Sequence, residues 1–178
     1  MSKSIFYCLI LFISSFPISL LSQNEELASK PEIGISFDYD NTGSSVISLR
    51  AGGNVFYGLL AAGYNWKALK DEAMTWQVGG GAHIGHGLIF NTNIEARAAL
   101  YSNFNKMNTF QFTVNLLPGL KLTDYLECYI GPNIGYMQTK NPDNTRPLNM
   151  GITLWEEKNS SRLKHLYIGF LTGIYYRF

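Results

Sequence analysis

The sequence predicts an all-β chain that folds as an eight-stranded antiparallel transmembrane up-and-down β-barrel. Apolar and polar residues alternate through most of the chain, and clusters of turn residues separate the alternating runs. The alternation gives every run two faces, one largely apolar and the other polar or glycine-rich. A barrel with an apolar outer wall and a polar lumen accounts for both faces.

Residues 1–22 have the features of a secretory signal peptide. Lys3 gives a basic start, Ile5 to Leu21 is mostly apolar, and Ser22 is a small residue before the expected cut. The apolar run is short for a spanning helix of ~20 residues, which argues against the alternative of a membrane anchor. We therefore expect residues 23–178 to form a single barrel domain.

Charge and cysteine content exclude several classes of function. Without the leader, 13 basic side chains balance 13 acidic ones, so a nucleic-acid partner is not expected. Cys128 is then the remaining cysteine, which excludes an internal disulfide, and the alternation places it on the lipid face as a small apolar filler. No cofactor is expected, because the glycines lie within strands and not in a phosphate-binding loop.

Four alternating runs lie in the first part of the mature chain. They are Ile33–Tyr39, Ser45–Gly52, Val55–Trp66 and Ala73–Gly85. The sequences Asn41-Thr42-Gly43-Ser44 and Gly53-Asn54 are rich in turn-forming residues and separate the first three runs. Four strands are therefore predicted here.

Four further runs complete the predicted barrel: Ile89–Tyr101, Thr109–Leu122, Leu126–Met137 and roughly His165–Phe178. Their links are tight near 86–88 and 123–125 and longer at 102–108 and 138–164, which is typical of membrane barrels. Residues 147–156 form either a ninth strand or one arm of a hairpin within the longest loop, and the sequence leaves both open.

The polar face of the predicted strands carries charges of both signs. A soluble lipocalin-like barrel would turn its apolar face inward, but the strand lengths and the aromatic residues near strand ends favour a membrane barrel. One expected aromatic rim contains Tyr39, Trp66, Trp76, Tyr101, Phe110 and Tyr136, and the other contains Phe56, Phe90, Tyr125, Tyr176 and Phe178. The residues expected to form a paired polar network in the narrow lumen are Asp38, Arg50, Glu95, Arg97, Lys121 and Glu127.

The leader, the eight runs and the ending Ile174-Tyr175-Tyr176-Arg177-Phe178 resemble a small bacterial outer-membrane β-barrel of the OmpA/OmpX type. The resemblance covers residues 33–178 as a pattern, and the C-terminal motif is its specific part. It implies a monomer in the bacterial cell outer membrane, in contact with outer-membrane lipid. It also implies that the barrel-assembly machinery recognises Ile174, Tyr176 and Phe178. The expected role is non-enzymatic: structural, or binding of a surface ligand through the outer loops.

The histidines define the alternative functions. His83 and His86 are expected to face opposite ways, which makes a shared metal site unfavourable. His165 is close in sequence to the other parts of a nucleophilic triad, namely Glu156, Glu157, Ser160 and Ser161. Outer-membrane lipid A deacylases and palmitoyltransferases place catalytic groups at the corresponding rim, but the deacylase His-x-Ser arrangement is missing because Leu166 and Tyr167 follow His165. One alternative function is therefore a lipid A-modifying enzyme with His165 as base. The other is a small pore or transporter for apolar solutes.

Overall fold

A computed structural model describes residues 32–53, 55–66, 73–102, 108–140, 151–159 and 162–178, and these residues form one antiparallel sheet. The predicted leader lies outside the described residues. The strands are β1 (Glu32–Asp40), β2 (Ser44–Gly52), β3 (Phe56–Asn65), β4 (Ala73–His86), β5 (Phe90–Ser102), β6 (Asn108–Lys121), β7 (Leu126–Lys140), β8 (Ile152–Asn159) and β9 (Arg162–Arg177). Among the described residues, no helix has the length and apolarity needed to cross a bilayer.

Eight of these strands close into a barrel, which confirms the predicted all-β, eight-stranded antiparallel fold. Strands β1 to β7 pair in chain order, and β9 pairs with β7. The ring closes where β9 pairs with β1, from Gly34 opposite Arg177 to Asp40 opposite Leu171. Each wall strand therefore has a partner strand on both sides, and no strand of the closed ring has a free edge along its whole length.

Strand β8 lies outside the closed ring. It pairs with the first half of β9, from Ile152 opposite Ile168 to Asn159 opposite Arg162, while the second half of β9 pairs with β1. In the described part of the predicted 147–156 segment, β8 is thus both a ninth strand and one arm of a hairpin, and it continues past the predicted range to Asn159. The β8–β9 hairpin extends the wall beyond the end of β1.

The wall is taller at this end than the sequence predicts. Strand β7 continues to Lys140 and β9 begins at Arg162, so both ends of the predicted 138–164 loop are strand. The predicted ends of these two strands were wrong, because the apolar alternation stops before the backbone pairing between the strands does. Gln138, Lys140 and Arg162 give no apolar alternation, although their backbones are paired.

A three-residue turn joins β1 to β2 at the same end of the barrel. The Asp40 carboxylate accepts the N–H of Thr42 at 2.9 Å and that of Ser44 at 3.2 Å. Gly43 donates to the Asp40 carbonyl at 3.0 Å and has a φ of 83°, a conformation that glycine adopts without steric cost. Hydrogen bonds to Asp40 therefore explain why this link is short where longer loops were expected.

Alternate residues along each strand face opposite sides of the wall, as predicted. Ile47, Leu60 and Ile130 are more than 60% exposed on the outside. The lumen is filled by side chains and contains three apolar clusters, whose members are Ala99, Tyr101, Met137 and Tyr167; Val46, Tyr57, Leu59 and Ala61; and Leu117, Tyr129, Leu171 and Tyr175. Tyr101 corrects the predicted rim: it is buried in the lumen, because Leu100 takes the outward position.

Candidate functional site

Four of the six residues predicted for the lumen network meet in one ion cluster, formed by Asp38, Arg50, Glu95 and Arg97. Arg97 Nη1 lies 2.7 Å from Asp38 Oδ2, and its Nε pairs with Glu95 Oε1. Arg50 Nη2 lies 3.2 Å from Glu95 Oε2 and 3.9 Å from Asp38 Oδ1. All four side chains are buried, so each charge is compensated within the lumen by two charges of opposite sign.

Three tyrosines surround Arg50, and none of them was predicted for the network. The guanidinium lies 5.0 Å from the ring centre of Tyr129, 5.2 Å from that of Tyr175 and 5.6 Å from that of Tyr57. These distances are typical of cation–π contacts. The inward position of each tyrosine in the strand alternation could have revealed them, since an inward tyrosine beside a buried arginine has few other partners.

The tyrosine hydroxyls also join the ion cluster by hydrogen bonds. Tyr57 donates to Glu95 Oε2 at 2.8 Å, and Tyr129 donates to Asp38 Oδ1 while accepting from Arg50 Nη2 at 2.8 Å. Hydrogen bonds to a carboxylate are stronger than those between neutral groups. The cluster is therefore a cross-linked unit that connects strands on opposite sides of the barrel.

Two small cavities lie on either side of the ion cluster. The first is lined by polar groups that include Arg97, Gln77 and Asn115, and the second by Arg50 and Glu127 among others. Each has a volume of about 10 Å³, close to the minimum that a single water occupies. Neither could hold an organic solute, so this part of the lumen has the geometry of a packed polar core.

Glu127 and Lys121, also predicted for the network, lie apart from the ion cluster. Glu127 is buried and accepts a hydrogen bond from Asn91 Nδ2 at 2.7 Å. Lys121 is the last residue of β6, and its Nζ donates to the carbonyl of Gly87 in the β4–β5 turn at 3.0 Å. The long lysine side chain reaches the rim from the end of its strand, which explains why alternation alone misplaced it.

A second set of contacts fills the lumen near the β1–β2 turn. We call it the outer hydroxyl cluster, and its members are Thr42, Ser44, Asn65, Tyr101, Gln111 and Tyr167. Tyr101 donates to Gln111 Oε1, and Gln111 Nε2 donates to the Tyr167 hydroxyl. These six side chains are neutral, and Thr42 also donates its hydroxyl to the Asp40 carboxylate in the β1–β2 turn. The cluster was not predicted, because neutral side chains near a strand end have no strong preference for the inner face.

The histidines have separate environments. His83 Nδ1 lies 2.7 Å from Asn93 Oδ1, whereas the side chain of His86 is outside the described part of the structure. His165 is the fourth residue of β9 and is buried inside the wall, so it does not open the strand at the rim as predicted. Its Nδ1 lies 3.2 Å from the half-exposed Glu156 on β8.

Two members of the predicted triad, His165 and Glu156, lie in contact. Ser160 and Ser161, the predicted nucleophile candidates, lie outside the described residues. The described part of the chain contains no group of three or more His, Cys, Asp or Glu side chains placed to hold a metal ion.

The residues predicted as an assembly signal lie on the outer wall where the barrel closes. Ile174, Tyr176 and Phe178 are all exposed, and the Tyr176 and Phe178 rings pack edge to face at 5.6 Å. The backbone N–H of Phe178 donates to the carbonyl of Ile33 at 2.9 Å. On the inner face, Arg177 Nε lies 2.7 Å from Glu32 Oε1, which ties the last strand to the first.

No protein-family model and no curated protein matches the chain. A solved structure described as "De novo design of transmembrane beta-barrels" is similar to it, with 14% sequence identity and a TM-score of 0.42. The alignment covers 83% of this chain and 94% of the designed one.

Proposed function

We propose that the chain is an integral outer-membrane β-barrel protein without enzymatic activity. The observation that carries this proposal is the inversion of polarity across the wall: large apolar side chains are exposed outside, and paired charges are buried inside. In water, so large an exposed apolar surface would be strongly unfavourable at roughly 25 cal/mol per Å². In a bilayer the same surface is solvated by acyl chains, and closure of the barrel satisfies the backbone.

The bacterial outer membrane is the location that the leader and the resemblance to the OmpA/OmpX type support. In this proposal the barrel is a monomer, and the assembly machinery recognises Ile174, Tyr176 and Phe178 during insertion. The exposure of all three side chains on the outer wall is compatible with both lipid contact and prior recognition.

The β8–β9 hairpin is the part of the described chain best placed to contact a surface ligand. It extends beyond β1, and β8 is exposed along most of its length. Charges of both signs lie on it, with Lys164 Nζ 3.2 Å from Glu157 Oε2. We propose that the molecule acts structurally or by surface binding through this end, and that its packed lumen supports the outer end without conducting.

Membrane fractionation of cells that express the full chain tests the proposal. The protein should remain in the membrane after washing with salt and alkaline carbonate, because only lipid or detergent can cover its outer wall. On a gel it should migrate differently before and after boiling, as a folded barrel does. Recovery as a soluble periplasmic monomer without detergent would overturn the proposal and favour a lipocalin-like barrel.

A further inference from the structure

A groove runs along the outer wall across β1, β9, β7 and β6 to the start of β5. Its volume is about 630 Å³, and its lining is almost entirely apolar. Its larger side chains are Phe37, Tyr39, Phe90, Leu120, Ile130 and Ile174. The four charged residues of the ion cluster do not line it, although Tyr129, whose hydroxyl joins that cluster inside the barrel, does.

Small residues between large ones explain why the wall is concave here. Cys128 lies in register between Leu120 on β6 and Ile174 on β9. Thr172 lies in register between Ile130 on β7 and Tyr39 on β1. Thr172 Oγ1 donates to the backbone carbonyl of Tyr129 at 3.0 Å, so its hydroxyl is satisfied within the wall and the groove floor stays apolar.

The backbone of β6 and β7 is also irregular beside the groove. Pairing of these strands is interrupted between the Asn115–Asn133 and Gly119–Tyr129 pairs. Pro118, which lines the groove, lies in the interrupted stretch and has no N–H to donate. The shape of the wall here therefore reflects an irregular backbone as well as small side chains.

We propose that this groove holds one acyl chain of a phospholipid, in the leaflet nearest the C-terminal end of β9. The inference rests on the proposed membrane location. The groove begins at the rim, where Phe90 opens β5 beside Leu120. It ends at Tyr39, which lies near the end of the short strand β1 but opposite Thr172, in the middle part of the longer strand β9. It therefore follows the depth at which one leaflet's chains lie.

Packing is the interaction that would hold this acyl chain in the groove in preference to the surrounding lipid. Lipid tails are as apolar as the wall, so no hydrophobic driving force separates bound from bulk chains. An acyl chain in a groove gains dispersion contacts on several sides, whereas an acyl chain on a convex wall gains them on one side only. A flexible acyl chain can follow the concave floor between the large side chains, which the rigid wall of a second barrel cannot do, so an acyl chain is the better occupant.

Native mass spectrometry of the barrel, released from vesicles of phosphatidylethanolamine and phosphatidylglycerol, tests the proposal. The wild-type protein should retain one phospholipid at collision energies that remove all others. Cys128→Trp and Thr172→Trp fill the groove and should each reduce the retained fraction by about tenfold. Ala98→Trp is the matched control, since Ala98 lies on the outer wall between Val78 and Phe112, away from the groove, and should retain lipid like the wild type.

Equal retention by all four proteins, or no retained lipid in the wild type, would overturn the proposal. A retained second barrel that Cys128→Trp removes would assign the groove to a copy of this chain and would also overturn it. Each variant is first checked for heat-dependent gel mobility, and Cys128→Leu replaces any variant that does not fold. Failure of the wild type to insert into vesicles would refute the membrane location itself, which is a distinct result from insertion without lipid retention.

Discussion

In the middle of the lumen, polar atoms meet as full charges of both signs, whereas near the β1–β2 turn neutral hydroxyl and amide groups surround one carboxylate, Asp40. The ion cluster joins Asp38 and Glu95 to Arg50 and Arg97. The outer hydroxyl cluster holds Tyr101, Gln111 and Tyr167 in a chain of hydrogen bonds. Both clusters are buried, and both link strands that are distant in sequence.

The two clusters should differ in how much stability the protein loses when one of their side chains is replaced. A buried charge that loses its partner keeps a large desolvation cost, whereas a neutral group loses about one hydrogen bond. The middle of the barrel should therefore be the region where single substitutions are most damaging. The outer end should tolerate change better, which suits a region proposed to contact ligands.

The largest effect is expected for Glu95→Gln. Glu95 accepts from both arginines of the ion cluster and from Tyr57, so the substitution leaves two buried guanidinium groups with only Asp38 as a countercharge. We expect the free energy of unfolding to fall by about 3–5 kcal/mol. Denaturant unfolding of the barrel in lipid vesicles, followed by gel mobility, measures it.

Glu127→Gln is the matched control for this substitution. Glu127 is buried and lies outside the ion cluster, and a glutamine there can still accept from Asn91. Glu127→Gln should lower the free energy of unfolding clearly less than Glu95→Gln does. Equal midpoints for wild type and Glu95→Gln would contradict the view that the charges stabilise the lumen jointly.

Sequence alone predicted the barrel and the four residues that meet in the ion cluster, but it placed Glu127 and Lys121 with them and did not predict the contacts near the β1–β2 turn. Strand period and charge are visible in a sequence: Arg50 and Arg97 alternate with apolar residues, and only an inward polar environment accommodates them. Tyr101 gives no comparable signal, because an aromatic residue near a strand end is equally expected at the membrane rim. For the β8–β9 hairpin, the sequence left a ninth strand and a hairpin arm open as alternatives, since β8 is exposed on both faces and lacks clear apolar alternation.

A matched pair of substitutions sharpens the comparison between the two clusters. Tyr57→Phe removes a hydroxyl that donates to the Glu95 carboxylate, and Tyr167→Phe removes one that accepts from the neutral Gln111 amide. Tyr57→Phe should lower the free energy of unfolding by about 1.5–3 kcal/mol and Tyr167→Phe by about 1 kcal/mol, because hydrogen bonds to charged groups are stronger. Both are measured by the same vesicle unfolding assay. A larger loss for Tyr167→Phe would mean that charge does not set the ranking.

The smallest effect is expected on the β8–β9 hairpin, where charges meet in solvent. Lys164 Nζ lies 3.2 Å from Glu157 Oε2, a distance similar to that between Arg50 and Glu95, but both side chains are partly exposed. Water already solvates each charge, so the pair gains little from its own contact, and exposed pairs contribute at most about 1 kcal/mol. Lys164→Gln should therefore shift the unfolding midpoint slightly in low salt and not at all in high salt, where screening removes the remaining attraction. Glu95→Gln, measured in the same two salts, should keep most of its effect because its charges are enclosed by the wall. If the two variants responded equally to salt, burial would not be what separates the middle of the lumen from the hairpin.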